Sequence, residues 1–148
     1  EREYDMMPSR PAPALSHDLL MQVVVDGDTR VSLSATLAYS AEDPFAISAT
    51  FRTGEGDITW TFARDLLRDG MAESVGEGDI QIRPAHPSRG PVMKLTLSSP
   101  SGAAEIEAPR HEVGEFLAES YRLVPADSEW MYLDLDRTID DLLGDPSL

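Results

Sequence analysis

The chain contains no cysteine. Disulfide staples, a thiol nucleophile and thiolate-bound zinc or iron–sulfur clusters are thereby excluded. Positive charge is scarce, with 12 Lys and Arg against 27 Asp and Glu and a formal charge of −15 at pH 7. Such a field repels phosphate backbones and anionic lipid headgroups. No run of basic residues offers a local exception, since Arg64/Arg68 and Arg83/Arg89 are flanked by acids or prolines. Nucleic acid is therefore a disfavoured partner, and the acidic exterior reads as a solubilising surface. Long apolar runs are missing too: the stretch from Leu19 to Val25 is broken by Gln22 and falls short of the about 20 residues that span a bilayer, so no membrane insertion is expected. The opening EREYDMMPSRPAPA lacks the charged-then-apolar order of a signal peptide.

Groups that carry chemistry are equally sparse. The three histidines, His17, His86 and His111, show no His-x-x-x-His spacing, so neither a metal nor a cofactor is expected. No Gly-x-Ser-x-Gly elbow offers a catalytic serine. Adjacent carboxylates such as Glu42-Asp43 and Asp140-Asp141 follow from the acidic composition and from helix caps. Gly54-x-Gly56 and Gly76-x-Gly78 each enclose a glutamate and precede an aspartate, which suits turns and would repel phosphate. Asp134-x-Asp136-x-Thr138 imitates the start of a calcium loop but has Ile139 where the loop needs glycine.

Alternation of apolar and polar residues is what the chain has in abundance. At 148 residues it suits one domain, burying roughly 70% of its unfolded surface. Residues 1–14, with Pro8, Pro11 and Pro13 and no periodicity, read as a mobile arm, and 15–148 as the domain. Leu19, Met21 and Val23, then Leu33, Ala35 and Leu37, recur at period 2 around a turn at Asp26-Gly27-Asp28. A second hairpin pairs Phe45, Ile47, Ala49 and Phe51 with Ile58, Trp60 and Phe62 across Thr53-Gly54-Glu55-Gly56-Asp57. Arg64 to Asp69 switches to helical spacing, and Gly70 stands where a helix C-cap would. Gly76-Glu77-Gly78-Asp79 then turns into a strand from Ile80, followed by strands through Met93 to Leu97 and Ala104 to Ala108, about seven in all. Val113, Phe116, Leu117 and Tyr121 form a helical stripe after Pro109, and Asp134 caps a second C-terminal helix carrying Leu135, Ile139 and Leu142. Both helices need a partner face, because helices this short are marginal alone in water. The class is α+β, with a short helix after the fourth strand and two C-terminal helices.

Several of these stretches, taken in order, resemble the SsgA-like sporulation-specific cell division proteins, with the nearest likeness to the SsgB branch. They are Asp43-Pro44-Phe45, Ala49-Thr50-Phe51, Thr53-Gly54, Trp60-x-Phe62-Ala63-Arg64-Asp65-Leu66-Leu67, Leu97-Ser98-Ser99-Pro100-x-Gly102 and Leu133-Asp134-Leu135-Asp136. The resemblance implies a whirly-like fold of two packed antiparallel sheets, a homotrimer and action without catalysis. It implies as partners a second copy of the chain, the tubulin-like division protein FtsZ, recruited to future septa, and SsgA-like paralogues. The corresponding location is the cytoplasm at the division septum. A single-stranded nucleic-acid binder, suggested by the fold kinship, is the alternative, and a cell-wall hydrolase comes third.

Three groups of residues are expected to meet a partner. His86 and Arg89 lie in the Pro- and Gly-rich loop to Gly90, which should project. Arg64 and Arg68 are scarce cations in an anionic field. Trp130 and Tyr132 stand outside helical periodicity and suit a subunit contact, though burial against the chain's own sheet is the commoner fate of such rings. Trp60, on the apolar side of its strand, reads as core.

Overall fold

Period-2 alternation dominates the chain, and strands dominate the fold. The structure, a computed structural model, describes residues 13–26, 29–87 and 90–132. The strands are β1 (Ala14–Asp26), β2 (Thr29–Ser40), β3 (Ala46–Thr53), β4 (Gly56–Ala63), β5 (Val75–Glu77), β6 (Ile80–Ala85), β7 (Val92–Ser99) and β8 (Gly102–Pro109). Helix α1 (Arg64–Asp69) separates β4 from β5; helix α2 (Arg110–Leu123) and a 3-10 turn (Glu129–Tyr132) follow β8.

The expected pair of packed sheets is not what forms. One antiparallel eight-stranded sheet runs in the order β4-β3-β2-β1-β8-β7-β6-β5 and curls into a half-barrel. Each half is a four-stranded meander, and the halves join where Gln22, Val23 and Val24 of β1 pair with Glu107, Ile106 and Glu105 of β8. Alternation dictates which side chains turn inward but not which neighbour accepts a strand's hydrogen bonds. One edge of β1 pairs with β2 along its length, and its other edge takes up β8 at Gln22 to Val24.

An eighth strand, β5, was missed because Gly76-Glu77-Gly78-Asp79 reads as one turn. Only Gly78-Asp79 turns, with Gly78 at φ 61°, while Val75, Gly76 and Glu77 pair with Ile82, Gln81 and Ile80. Three residues with one apolar side chain are too few to show alternation. The expectation of two C-terminal helices is likewise not met: among the described residues α2 is the only α-helix after β8, and the stretch from Asp134 to Gly144 lies outside them. The expected arm lies outside them as far as residue 12; Ala14 already opens β1, and the Pro13 carbonyl accepts the Ala41 N–H at 2.8 Å.

The core fills the concave side of the sheet. Met21, Leu37, Ile47, Ile82, Met93 and Leu95 are each at most 2% exposed. Helix α2 lays Val113, Phe116 and Leu117 onto β1, β7 and β8, and α1 touches both edge strands, β4 and β5. One end of the half-barrel is thereby capped by helices.

Gly70 serves a different purpose from the one its position suggests. It adopts right-handed angles, φ −68° and ψ −10°, which any residue tolerates. A Cβ there would collide with Ile82 Cγ2 and lie 2.8 Å from Ile82 Cβ, so glycine is needed for the close approach of α1 to β6. Gly70→Ala is therefore expected to cost about 1–3 kcal/mol in chemical denaturation. Gly114, within α2, would place a Cβ 3.1 Å from the flexible Met71 Cε. Gly114→Ala should be neutral or stabilising by up to about 1 kcal/mol, through helix propensity.

Candidate functional site

Arg64 opens α1, on the same face as the buried Leu67 three residues on. That i, i+3 relation carries it inward, and its exposure is 0%. Its guanidinium lies 4.6 Å from the Tyr39 ring centroid and 3.9 Å from that of Tyr121. Nη1 donates to the Ser120 carbonyl at 2.9 Å, and Nη2 to Glu129 Oε2 at 2.8 Å, while Nε has no partner. The Glu129 carboxylate also accepts the Asp127 N–H at 3.0 Å. Arg64 is thus corrected from a contact cation to an internal clamp that ties α1, the end of α2 and the 3-10 turn together. The chain's order gave no sign of Glu129, Tyr39 or Tyr121 as its partners, but the Arg64/Leu67 spacing marked the buried face.

Burial opposes a charge on Glu129, yet its hydrogen bonds from Arg64 and from backbone N–H groups outweigh that and pull its pKa below 4.5. Burial pushes the Tyr39 phenol up to about 12, so it stays a neutral donor, to the Pro44 carbonyl at 3.0 Å. Because folding lowers the Glu129 pKa, the stabilisation is complete above 4.5 and is lost as pH falls through the lower folded value. Melting curves between pH 6 and pH 3 should show a shallower loss for Glu129→Gln than for the parent chain.

The clamp presents an aromatic turn. Trp130 is 67% exposed and Tyr132 40%, so neither is buried against the sheet. Trp130 Nε1 donates to the Asp127 carbonyl at 3.1 Å, which fixes the ring's outward direction. Arg68 is exposed but engaged, by Asp69 at 3.1 Å and Asp65 at 3.3 Å. His86 is exposed after β6, whereas Arg89 lies outside the described residues. The structure therefore brings Arg64, Trp130 and Tyr132 together at the junction of α1 with the 3-10 turn, with Arg68 6.0 Å from the centroid of the Tyr121 ring that Arg64 also covers, and leaves His86 apart from them. Arg30, Arg83 and Lys94 pair with Glu105 or Glu107 on the outer face, so they form no free basic patch.

At the end of the half-barrel away from the helices lies an open groove of about 380 Å³. Leu33 and Phe51 form part of its floor, Ile58 and Trp60 of β4 one wall, and Leu97 and Ala104 of the β7–β8 hairpin the other. Trp60, expected in the core, is half-buried on this wall. No Asp, Glu, Lys, Arg, His or Tyr lines the groove. It can shed water from apolar surface, and its polar side chains are the hydroxyls of Thr53, Ser99 and Ser101. Among the described residues no cluster of His, Asp and Glu could hold a metal ion, and no helix is long and apolar enough to cross a membrane. Sequence reasoning missed the groove because Phe51, Ile58 and Leu97 read as ordinary core.

The family described as "Streptomyces sporulation and cell division protein, SsgA" matches residues 33–129, which include both walls of the groove and the Arg64–Glu129 pair. The chain belongs to the SsgA family. The sporulation-specific cell division protein SsgB of Frankia casuarinae is 45% identical over 83% of this chain and 87% of its own length. SsgB of Streptomyces coelicolor is 36% identical over 88% and 96%. Two solved structures share the fold. One belongs to work correlating SsgB mutations with longitudinal cell division during sporulation of Streptomyces coelicolor, with a TM-score of 0.81 over 84% of this chain and 99% of that one. The other is an SsgA-like sporulation-specific cell division protein from Thermobifida fusca, with a TM-score of 0.82 over 90% and 98%. Both are 36% identical to this chain, so this SsgA-family member shares sequence as well as backbone with them.

Proposed function

We propose that this SsgA-family protein acts in sporulation-specific cell division as a non-enzymatic scaffold that recruits FtsZ to septum sites. The observation that carries the reading is the groove, an open apolar surface without an ionisable side chain. A surface of this kind gains free energy by covering, so it fits a protein partner or a second copy better than a substrate. The relatives' names, sporulation-specific cell division protein, support the cellular process. Self-association as a homotrimer, contact with SsgA-like paralogues and a place at the septum belong to the same reading. A charge of −15 and a groove without cations speak against single-stranded nucleic acid.

Co-sedimentation with GTP-assembled FtsZ filaments is the test. The protein is expected to pellet with filaments and to sediment as a trimer at micromolar concentration. Absence from the pellet would remove the FtsZ reading, and a monomer in solution would remove the trimer.

A further inference from the structure

The half-barrel is open, and β4 is one of its two edge strands. Its pairing with β3 runs unbroken from Ala46↔Ala63 to Thr53↔Gly56. The Arg64 N–H donates to the Phe45 carbonyl at 2.7 Å, one step beyond the Ala46↔Ala63 pair. In an antiparallel ladder, hydrogen-bonded and non-bonded pairs alternate. Phe62, Trp60 and Ile58 therefore direct their backbone groups to β3, and Thr61, Thr59 and Asp57 direct theirs outward. All three of these residues are exposed, and no described strand pairs with that edge.

Natural edges are guarded by charged side chains, lysine above all, by proline or by a bulge. Gly56–Ala63 reads GDITWTFA, with no lysine, proline or bulge and one charge, Asp57, near its turn end. The edge also continues into the groove, since Ile58 and Trp60 belong to both. A strand added beside β4 would turn every second side chain toward that apolar wall and the others toward the outer face. Charge selects the occupant. Glu55 and Asp57 stand at the turn end of the edge, and no ion pair engages either among the described residues. A second copy's β4 carries Asp57 and no Lys or Arg, so it brings no cation of its own strand to either acid.

We propose that the β4 edge is a β-augmentation site for an extended segment of another protein, with alternating apolar residues ending in lysine or arginine. The inference rests on the reading of the groove as a docking surface. It is independent of FtsZ as the partner.

The probe is the acetylated and amidated hexapeptide TVTVKK, with its first lysine opposite Asp57, titrated by fluorescence polarisation against the full chain. Methylating the backbone nitrogens of its threonines, which would face β4, should weaken binding about tenfold or more, while methylating those of its valines should not. Thr61→Pro removes an outward N–H at a position that an edge strand tolerates, and should cause a comparable loss at an unchanged melting temperature. TVTVEE should fail to bind. No binding of TVTVKK, equal effects of the two methylation patterns, or full affinity for TVTVEE would overturn the proposal. Dissolution of an oligomer by Thr61→Pro would also overturn it, by giving the edge to a second copy. Peptide binding with no FtsZ co-sedimentation would sink only the functional reading, and the reverse result only the edge.

Discussion

Arg64→Met is expected to destabilise the fold by about 3–5 kcal/mol, because it leaves the Glu129 carboxylate buried without its cation. For a chain of this length that corresponds to a fall of about 6–20 °C in melting temperature. The size of the effect follows from geometry. The guanidinium is fully buried, lies between two tyrosine rings and bonds both the end of α2 and the 3-10 turn. Arg64→Lys should recover only part of the loss, since an ammonium can neither stack between two rings nor reach both acceptors as a planar fork. The decisive comparison is the double variant Arg64→Met with Glu129→Leu. Replacing both charges by apolar groups removes the uncompensated carboxylate, so the double variant should be more stable than Arg64→Met alone. Additive losses in urea denaturation would show that the two side chains are not coupled.

The clamp and the groove mark where sequence reading succeeds and where it stops. Inward and outward faces of β1 to β4, β7 and β8 were legible, because Leu33, Ala35 and Leu37 or Ile47, Ala49 and Phe51 alternate with polar residues whatever their neighbours are. The joining of two meanders into one sheet was not, since three cross-strand pairs between β1 and β8 leave no periodic trace. A charge on a short helix reads as solvated by default, so Arg64 was placed outside. Its burial depends on Tyr39, Tyr121 and Glu129, which are distant in sequence and converge only after folding. The groove has the opposite problem. Its residues are as apolar as true core, and only the lack of a covering element among the described residues turns core-like sequence into surface. Trp130 shows a third limit: a lone aromatic beyond helical spacing suits burial and exposure equally until Asp127, at φ 69°, sets the turn that points it outward.

If the groove is what partners gather on, Ile58→Asp should abolish that gathering without unfolding the chain. Ile58 is 50% exposed, so a carboxylate there keeps its water in the free protein and the melting temperature should change little. Once a partner covers the wall, the same carboxylate is desolvated against Phe51 and Trp60 with no cation lining the groove. A central apolar anchor lost in this way is worth about 2 kcal/mol or more, roughly a thirtyfold weakening of self-association or of FtsZ co-sedimentation. The matched control is Leu20→Asp. Leu20 is 57% exposed on the opposite face of β1, so the substitution removes as much exposed apolar surface and adds the same charge. Unimpaired association in Leu20→Asp beside its loss in Ile58→Asp would assign the contact to the concave side. Unimpaired association in both variants would mean that the groove carries none of it. Loss in both would trace it to the chain's net charge, because each variant takes the molecule one unit beyond −15.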